Sequence, residues 1–302
     1  MNTRIVAVAL AASTAWNIGQ HPLRAVGLRS AEPAITRLAA SILGRVGAAA
    51  MIIETGDVLM VRGDERFPMQ SVYKVPVAMA VLRQIDAEKA RLSQVMHIRR
   101  ADLVMKVHSP IRDQNPNGTD LTVRELLRAA IVESDGTASD MLLQLAPPAE
   151  VTKMLRRLGI DGMTVAATER AMAANEMVQY RNWSTPRAAV QLFRSLQRGL
   201  GVSAPSQTLL LGWLTETTSG ANRIKARLPA GTVVAHKTGL DNTRNGLTRA
   251  TNDVGIATLP NGRHLVIAVF IKDSRATGPQ REAVIAGIAR AAWDAATHQA
   301  RK

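Results

Sequence analysis

Ser71 and Lys74 stand three residues apart in Arg66-Phe67-Pro68-Met69-Gln70-Ser71-Val72-Tyr73-Lys74, and the apolar run Val75 to Leu82 behind them has helical spacing. Residues at i and i+3 at a helix start share one face. A serine hydroxyl attacks poorly at neutral pH unless a base takes its proton, and a desolvated lysine can be that base. The N–H groups of a helix start favour the negative charge that then develops. The pair alone is weak evidence, because 14 serines and eight lysines in 302 residues give about 0.4 Ser-x-x-Lys matches by chance. Two further strings widen the case. Ser134-Asp135-Gly136 follows a helical segment that begins near Thr122, and Lys237-Thr238-Gly239 ends the apolar run Thr232 to His236. The second of these is expected only about 0.04 times by chance, so it is the sharper signal.

The elements that must position these residues fall into two groups. Apolar runs at Val46 to Glu54 and Val58 to Val61 flank the turn Thr55-Gly56-Asp57 and predict a hairpin. Thr232 to His236, Asp253 to Leu259 and Leu265 to Ile271 predict three more strands, the last two joined at Pro260-Asn261-Gly262-Arg263. Helices are expected from Ala34 to Leu43 and from Gln280 to His298, and the chain from about Ser71 to Leu214 reads as helix after helix. The economical fold is α/β of the α+β type: a mostly antiparallel five-stranded sheet flanked by the N- and C-terminal helices, plus an all-helical lobe. One catalytic domain over residues 32–302 is expected, with an α/β lobe (32–66 and 215–302), a helical lobe (67–214) and the site in the cleft between them.

Composition removes several function classes. The net charge of +14 invites a nucleic-acid reading, but the basic residues are scattered with no run longer than a pair such as Arg99-Arg100, and aromatics are only 3%. No nucleic-acid partner is expected. The chain has no cysteine, which excludes disulfides, thiol catalysis and cysteine-ligated metals. No histidine or carboxylate spacing suggests a metal site, and no cofactor is expected. Residues 1–15, with Arg4, the apolar stretch Ile5 to Ala12 and then Ser13-Thr14-Ala15, read as an export signal. Eight apolar residues are too few to span a bilayer, so no membrane span is expected and the protein is placed as exported, periplasmic or secreted.

In this order and these settings, the three strings resemble the motif set of class A β-lactamases and penicillin-binding proteins. Arg66-Phe67-Pro68-Met69-Gln70-Ser71, Ser109-Pro110-Ile111 and His236-Lys237-Thr238-Gly239 are similar to class A enzymes too, and the resemblance runs from Glu32 to the C-terminal helix. It implies that Ser71 is acylated by a β-lactam, that Lys74 helps to activate it, and that Ser134 relays a proton to the leaving nitrogen. Lys237, with Thr238 and Gly239, would hold the substrate carboxylate, and the backbone N–H groups of Ser71 and Leu240 would form the oxyanion hole. A small β-lactam is the implied partner of a monomeric enzyme.

Release of the acylated serine needs a carboxylate, and the family loop reads Glu-x-x-Leu-Asn. Thr168-Glu169-Arg170-Ala171-Met172-Ala173-Ala174-Asn175 allows two registers: one keeps Asn175 and puts Ala171 at the base, the other keeps Glu169 and loses the asparagine. The second is adopted, since Gln179-Tyr180-Arg181-Asn182-Trp183-Ser184-Thr185-Pro186 resembles a class A subgroup whose loop departs in the same way. Gly136 replaces the family's usual asparagine, His108 stands where an aromatic flanks the cleft, and Arg223 resembles the arginine that assists carboxylate binding in members lacking it on the strand where Asp253 stands here. The alternatives are a penicillin-binding D,D-peptidase or esterase, or a β-lactam sensor domain, with the same acylated serine.

Overall fold

The computed structural model describes residues 27–298. The stretch read as an export signal lies outside them. Strands β1 (Arg45–Ile52), β2 (Val58–Val61), β3 (Val234–Leu240), β4 (Thr248–Thr258) and β5 (His264–Ser274) form one sheet in the order β2-β1-β5-β4-β3. Every neighbouring pair is antiparallel. Helices α1 (Glu32–Ala40) and, at the other end of the chain, Gly278–His298 cover one face.

Alternation along β5 explains how one strand serves two cores. Leu265, Ile267, Val269 and Ile271 pack with Ile35, Val284 and Ile288 of the terminal helices, whereas Val266, Ala268 and Phe270 belong to the second core with Phe67 and Phe193. Both faces are buried, which is why β5 reads as a continuous apolar run. Gly47 of β1 allows close approach on the second face, since a Cβ there would lie 2.5 Å from the Phe67 ring and 3.0 Å from Pro186.

The strand ends depart furthest from the sequence expectation at two places. β3 does not stop at His236 but carries Lys237-Thr238-Gly239 within it, paired with Val254, Asp253 and Asn252. β4 starts at Thr248, earlier than the expected Asp253, because Thr248 to Asn252 pair with β5 through their backbone despite polar side chains. The middle of the chain is also not purely helical. It holds a hairpin of Val95–Arg99 with Gly118–Thr122 and a small sheet of Phe67–Pro68, Trp183–Ser184 and Met163–Thr164.

Beside α2 (Lys74–Asp86) and α3 (Gly136–Leu145), the short helix α4 (Glu169–Ala174) is held by polar contacts. Thr168 Oγ1 accepts from the Ala171 N–H at 3.1 Å, and the Asp140 carboxylate on α3 accepts from the Glu169 and Arg170 N–H groups at 2.7 and 2.9 Å. Buried Asn182 takes the Ala166 and Ala167 N–H groups at 2.8 and 2.9 Å and donates to the Ala167 carbonyl at 2.9 Å. Asn182→Ala strands these groups and should lower unfolding free energy by about 2–3 kcal/mol in urea titration. Burial pushes the Asp140 carboxyl up to about 6, with the two N–H groups pulling the other way. The folded carboxyl thus holds its proton more tightly than the unfolded one, so its share of stability is full below about pH 4 and is lost as pH rises through about 6. Wild type should lose about 2 kcal/mol across that window on this account. Asp140→Asn should flatten the dependence, read from urea midpoints between those pH values.

Candidate active site

Three segments converge on one cleft. The first is the 3-10 turn Gln70–Tyr73, which leads directly into α2. Ser71 lies on this turn, so its N–H is among the first of a helix start and has no carbonyl ahead of it to bond. Lys74 opens α2 with its side chain 2% exposed.

The second segment begins at a capping box, Thr122 with Glu125, that starts the helix Val123–Arg128. This helix widens into a π-turn, Ala129–Glu133, which ends at Ser134 in the left-handed region at φ 61°. A serine there costs about 1–2 kcal/mol, and such strain gathers where a side chain must be aimed. Here it sends both oxygens of Ser134 toward the lysines. Lys74 Nζ donates to the Ser134 carbonyl at 2.5 Å, and Lys237 Nζ donates to Ser134 Oγ at 2.9 Å. Asp135, fully buried, then caps α3 through the Ala138 N–H at 2.8 Å and takes Ser109 Oγ and the Ile111 N–H at 3.0 and 2.8 Å. Ser109-Pro110-Ile111 is thereby tied to Ser134-Asp135-Gly136.

The third segment is β3, an edge strand. The Asp241 N–H just beyond it donates inward to the Ala250 carbonyl at 2.9 Å, so by alternation the Leu240 N–H points off the open edge. Gly239 permits contact with the first segment, because a Cβ would lie 2.4 Å from the Met69 carbonyl oxygen. Asn252 on β4 grips the same segment from behind, donating to the Pro68 and Met69 carbonyls at 2.8 and 3.0 Å. Lys237 is fully buried, and burial, helped by the nearby Lys74 charge, holds its ammonium well below the usual lysine range.

Glu169, 7% exposed, completes the centre. Its Oε1 lies 3.0 Å from Lys74 Nζ and accepts from the Tyr73 hydroxyl at 3.2 Å. Glu169, not Asn175, is the residue that stands beside Lys74. Asn175 instead caps the following 3-10 turn through the Met177 N–H.

The remaining sequence candidates divide. Thr238 Oγ1 is 2.8 Å from Ser219 Oγ at the cleft, and Leu240 is 54% exposed there. Arg223 lines the cleft but is engaged, with Nε 3.1 Å from Glu282 and Nη1 3.0 Å from the Asn252 carbonyl. Asp253 turns away from the cleft and pairs with buried His236 at 2.9 Å. His108 is an exposed wall residue bonded to the Glu133 carbonyl at 2.9 Å. Gly136 is not brought to the cleft: it is buried, and Val107 Cγ2 would lie 2.6 Å from a Cβ there. Tyr73, Asp140, Gln179 and Asn252, which hold Glu169 and the segments around Ser71 and Leu240, were missed, since no spacing marks them. The cleft that gathers Ser71, Lys74, Ser134 and Glu169 measures about 400 Å³. A larger hollow of about 850 Å³ between Ile85 and Arg124 holds none of them, and chemistry rather than size selects the cleft.

The model of the β-lactamase enzyme family matches residues 30–296. The chain is 40% identical over 237 residues to the extended-spectrum β-lactamase PER-1 of Pseudomonas aeruginosa, covering 78% of this chain and 77% of that protein. Among solved structures, a β-lactamase from Chitinophaga pinensis superposes with TM-score 0.86 at 45% identity, over 88% of this chain and 99% of the other. A class A β-lactamase from Bacteroides cellulosilyticus gives 0.83 at 30% identity, over 88% and 97%. With the fold, the converging strings and these similarities agreeing, the chain belongs to the β-lactamase enzyme family, in its class A.

Proposed function

We propose that the chain hydrolyses the amide bond of a β-lactam ring through an acyl-enzyme on Ser71. The observation that carries this reading is the placement of Lys74, whose Nζ is 3.0 Å from Glu169 Oε1 and 2.5 Å from the Ser134 carbonyl in the cleft that holds Ser71. In the first transfer Ser71 Oγ bonds to the ring carbonyl carbon while its proton passes to Lys74 or Glu169. The C–N bond then breaks, and the ring nitrogen takes the proton of Ser134 Oγ, which regains one through the lysines beside it. In the second transfer Glu169 takes a proton from water, the hydroxide bonds to the ester carbon, and Ser71 leaves with that proton returned to it. The net change is one water added across one amide.

Charge supports the substrate class. Lys74 pairs with Glu169, whereas buried Lys237 donates to Ser134 Oγ and has no ion pair among the described residues, which suits it to an anionic substrate. Lys237, Thr238 and Arg223 would hold its carboxylate, the Ser71 and Leu240 N–H groups its carbonyl oxygen as charge develops, and His108 the rim. We propose a monomer with one catalytic domain over residues 32–302. Export rests on residues 1–15, and no helix among the described residues is long and apolar enough to cross a membrane. A D,D-peptidase or sensor with the same serine would not need a carboxylate beside Lys74.

Intact-mass spectrometry after mixing with a chromogenic cephalosporin tests the scheme. Wild type should turn the substrate over, Ser71→Ala should form no adduct, and Glu169→Gln should hold a stable acyl adduct with turnover down at least about a hundredfold. A stable adduct on wild type would point to the sensor or peptidase. A pH series gives a second check. Lys237 holds substrate as the ammonium, and its proton is lost at lower pH than an ordinary lysine's, so kcat/KM should fall with rising pH on a limb below the ordinary lysine range while kcat at saturation falls less.

A further inference from the structure

The two N–H groups assigned to the oxyanion hole belong to different segments of the chain. Ser71 lies on the turn entering α2 and Leu240 ends β3, and nothing covalent fixes their separation. Their neighbours Gln70 and Asp241 are joined through a third segment. Gln179, on the 3-10 turn Glu176–Arg181, is 1% exposed. Its Oε1 accepts from Gln70 Nε2 at 2.7 Å, and its Nε2 donates to Asp241 Oδ2 at 3.0 Å and to the Glu176 carbonyl at 2.8 Å. A carboxamide suits this place because it accepts on one side and donates on the other. A carboxylate would face Asp241 with like charge, and an apolar side chain would leave buried groups unpaired.

Gln70 gives the bridge a mechanical purpose. Its φ of 45° lies in the left-handed region, which a residue with a side chain holds only when its surroundings enforce it. Asn252 anchors the carbonyls of Pro68 and Met69, just before this residue, while Gln179 holds the Gln70 side chain itself. At the other end Asp241 is fixed by the Asn242 N–H at 2.8 Å and by its own N–H to Ala250 at 2.9 Å. Pull on either end reaches a backbone donor one residue away.

We propose that Gln179 is a positioning residue for the oxyanion hole: its amide sets the separation and aim of the Ser71 and Leu240 N–H groups and couples them to the segment that carries Glu169. The inference rests on the acyl-transfer reading above. Gln179 touches no reacting atom, so its effect must be read at the carbonyl the hole would polarise.

The test is infrared difference spectroscopy of the acyl-enzyme formed by a penicillin carrying a ¹³C label at the ring carbonyl, trapped on the Glu169→Gln protein. Adding Gln179→Ala should move the ester carbonyl band to higher wavenumber, as its hydrogen bonds weaken. With Glu169 in place, Gln179→Ala should slow acylation about tenfold to a hundredfold, a fraction of the loss of one oxyanion donor. Gln179→Glu should shift the band the same way. Gln70→Ala, which trims a partly exposed side chain, should do so too and gives the measurement if Gln179→Ala does not fold. The pair Gln70→Ala with Gln179→Ala should be no worse than the stronger single change, since both cut one bridge. An unshifted band with unchanged acylation in Gln179→Ala or Gln70→Ala would overturn the proposal and leave Gln179 a loop anchor. No adduct at all on Glu169→Gln would overturn the acyl-transfer reading, and this inference with it.

Discussion

A buried ammonium, Lys74, stands 3.0 Å from a buried carboxylate, Glu169, and the polar contacts at the centre of the cleft keep that pair satisfied. Removing each ion from water costs several kcal/mol, and their attraction offsets this only when the other valences are also met. The Tyr73 hydroxyl and the Ser134 carbonyl meet some of them, and the Asp140 grip on the Glu169 backbone holds the carboxylate in place. Each comes from a different element. A slip of about 1 Å in any of them would leave a charge uncompensated, so the segments are fixed by polar contacts with direction rather than by apolar packing alone.

The sheet supplies the other half of that rigidity. β5 and β4 are buried on both faces, and β3 hangs on them as an edge whose outward N–H groups need no partner within the sheet. An edge strand is normally a site of unwanted pairing. Here the Met69 carbonyl reaches to within van der Waals contact of Gly239, and the free edge forms a wall of the cleft instead of an open surface.

Much of this was legible in the sequence, and for stated reasons. Ser71, Lys74, Ser134 and Lys237 were found because short strings report local backbone settings, and the strands of the sheet because their burial leaves apolar runs. The strand ends were misplaced where backbone pairing continues through polar side chains, as at Lys237 to Gly239 and Thr248 to Asn252. Glu169 could be proposed only by choosing between two registers, since a carboxylate in a loop carries no periodic signal. Asp140, Gln179 and Asn252 could not be found at all. Their roles depend on partners 29, 109 and 184 residues away, distances that no local pattern encodes.

Gly136 carries a consequence for how such a protein can change. The place of a side chain at this position is filled by Val107 from the neighbouring loop, so positions 107 and 136 share one volume. Their substitutions are not independent: a side chain at 136 meets the Val107 methyl and the His108 carbonyl, and it finds room only once 107 has shrunk or its loop has shifted. A side chain at position 136 is therefore reached in order, with the loop at 107 giving way first.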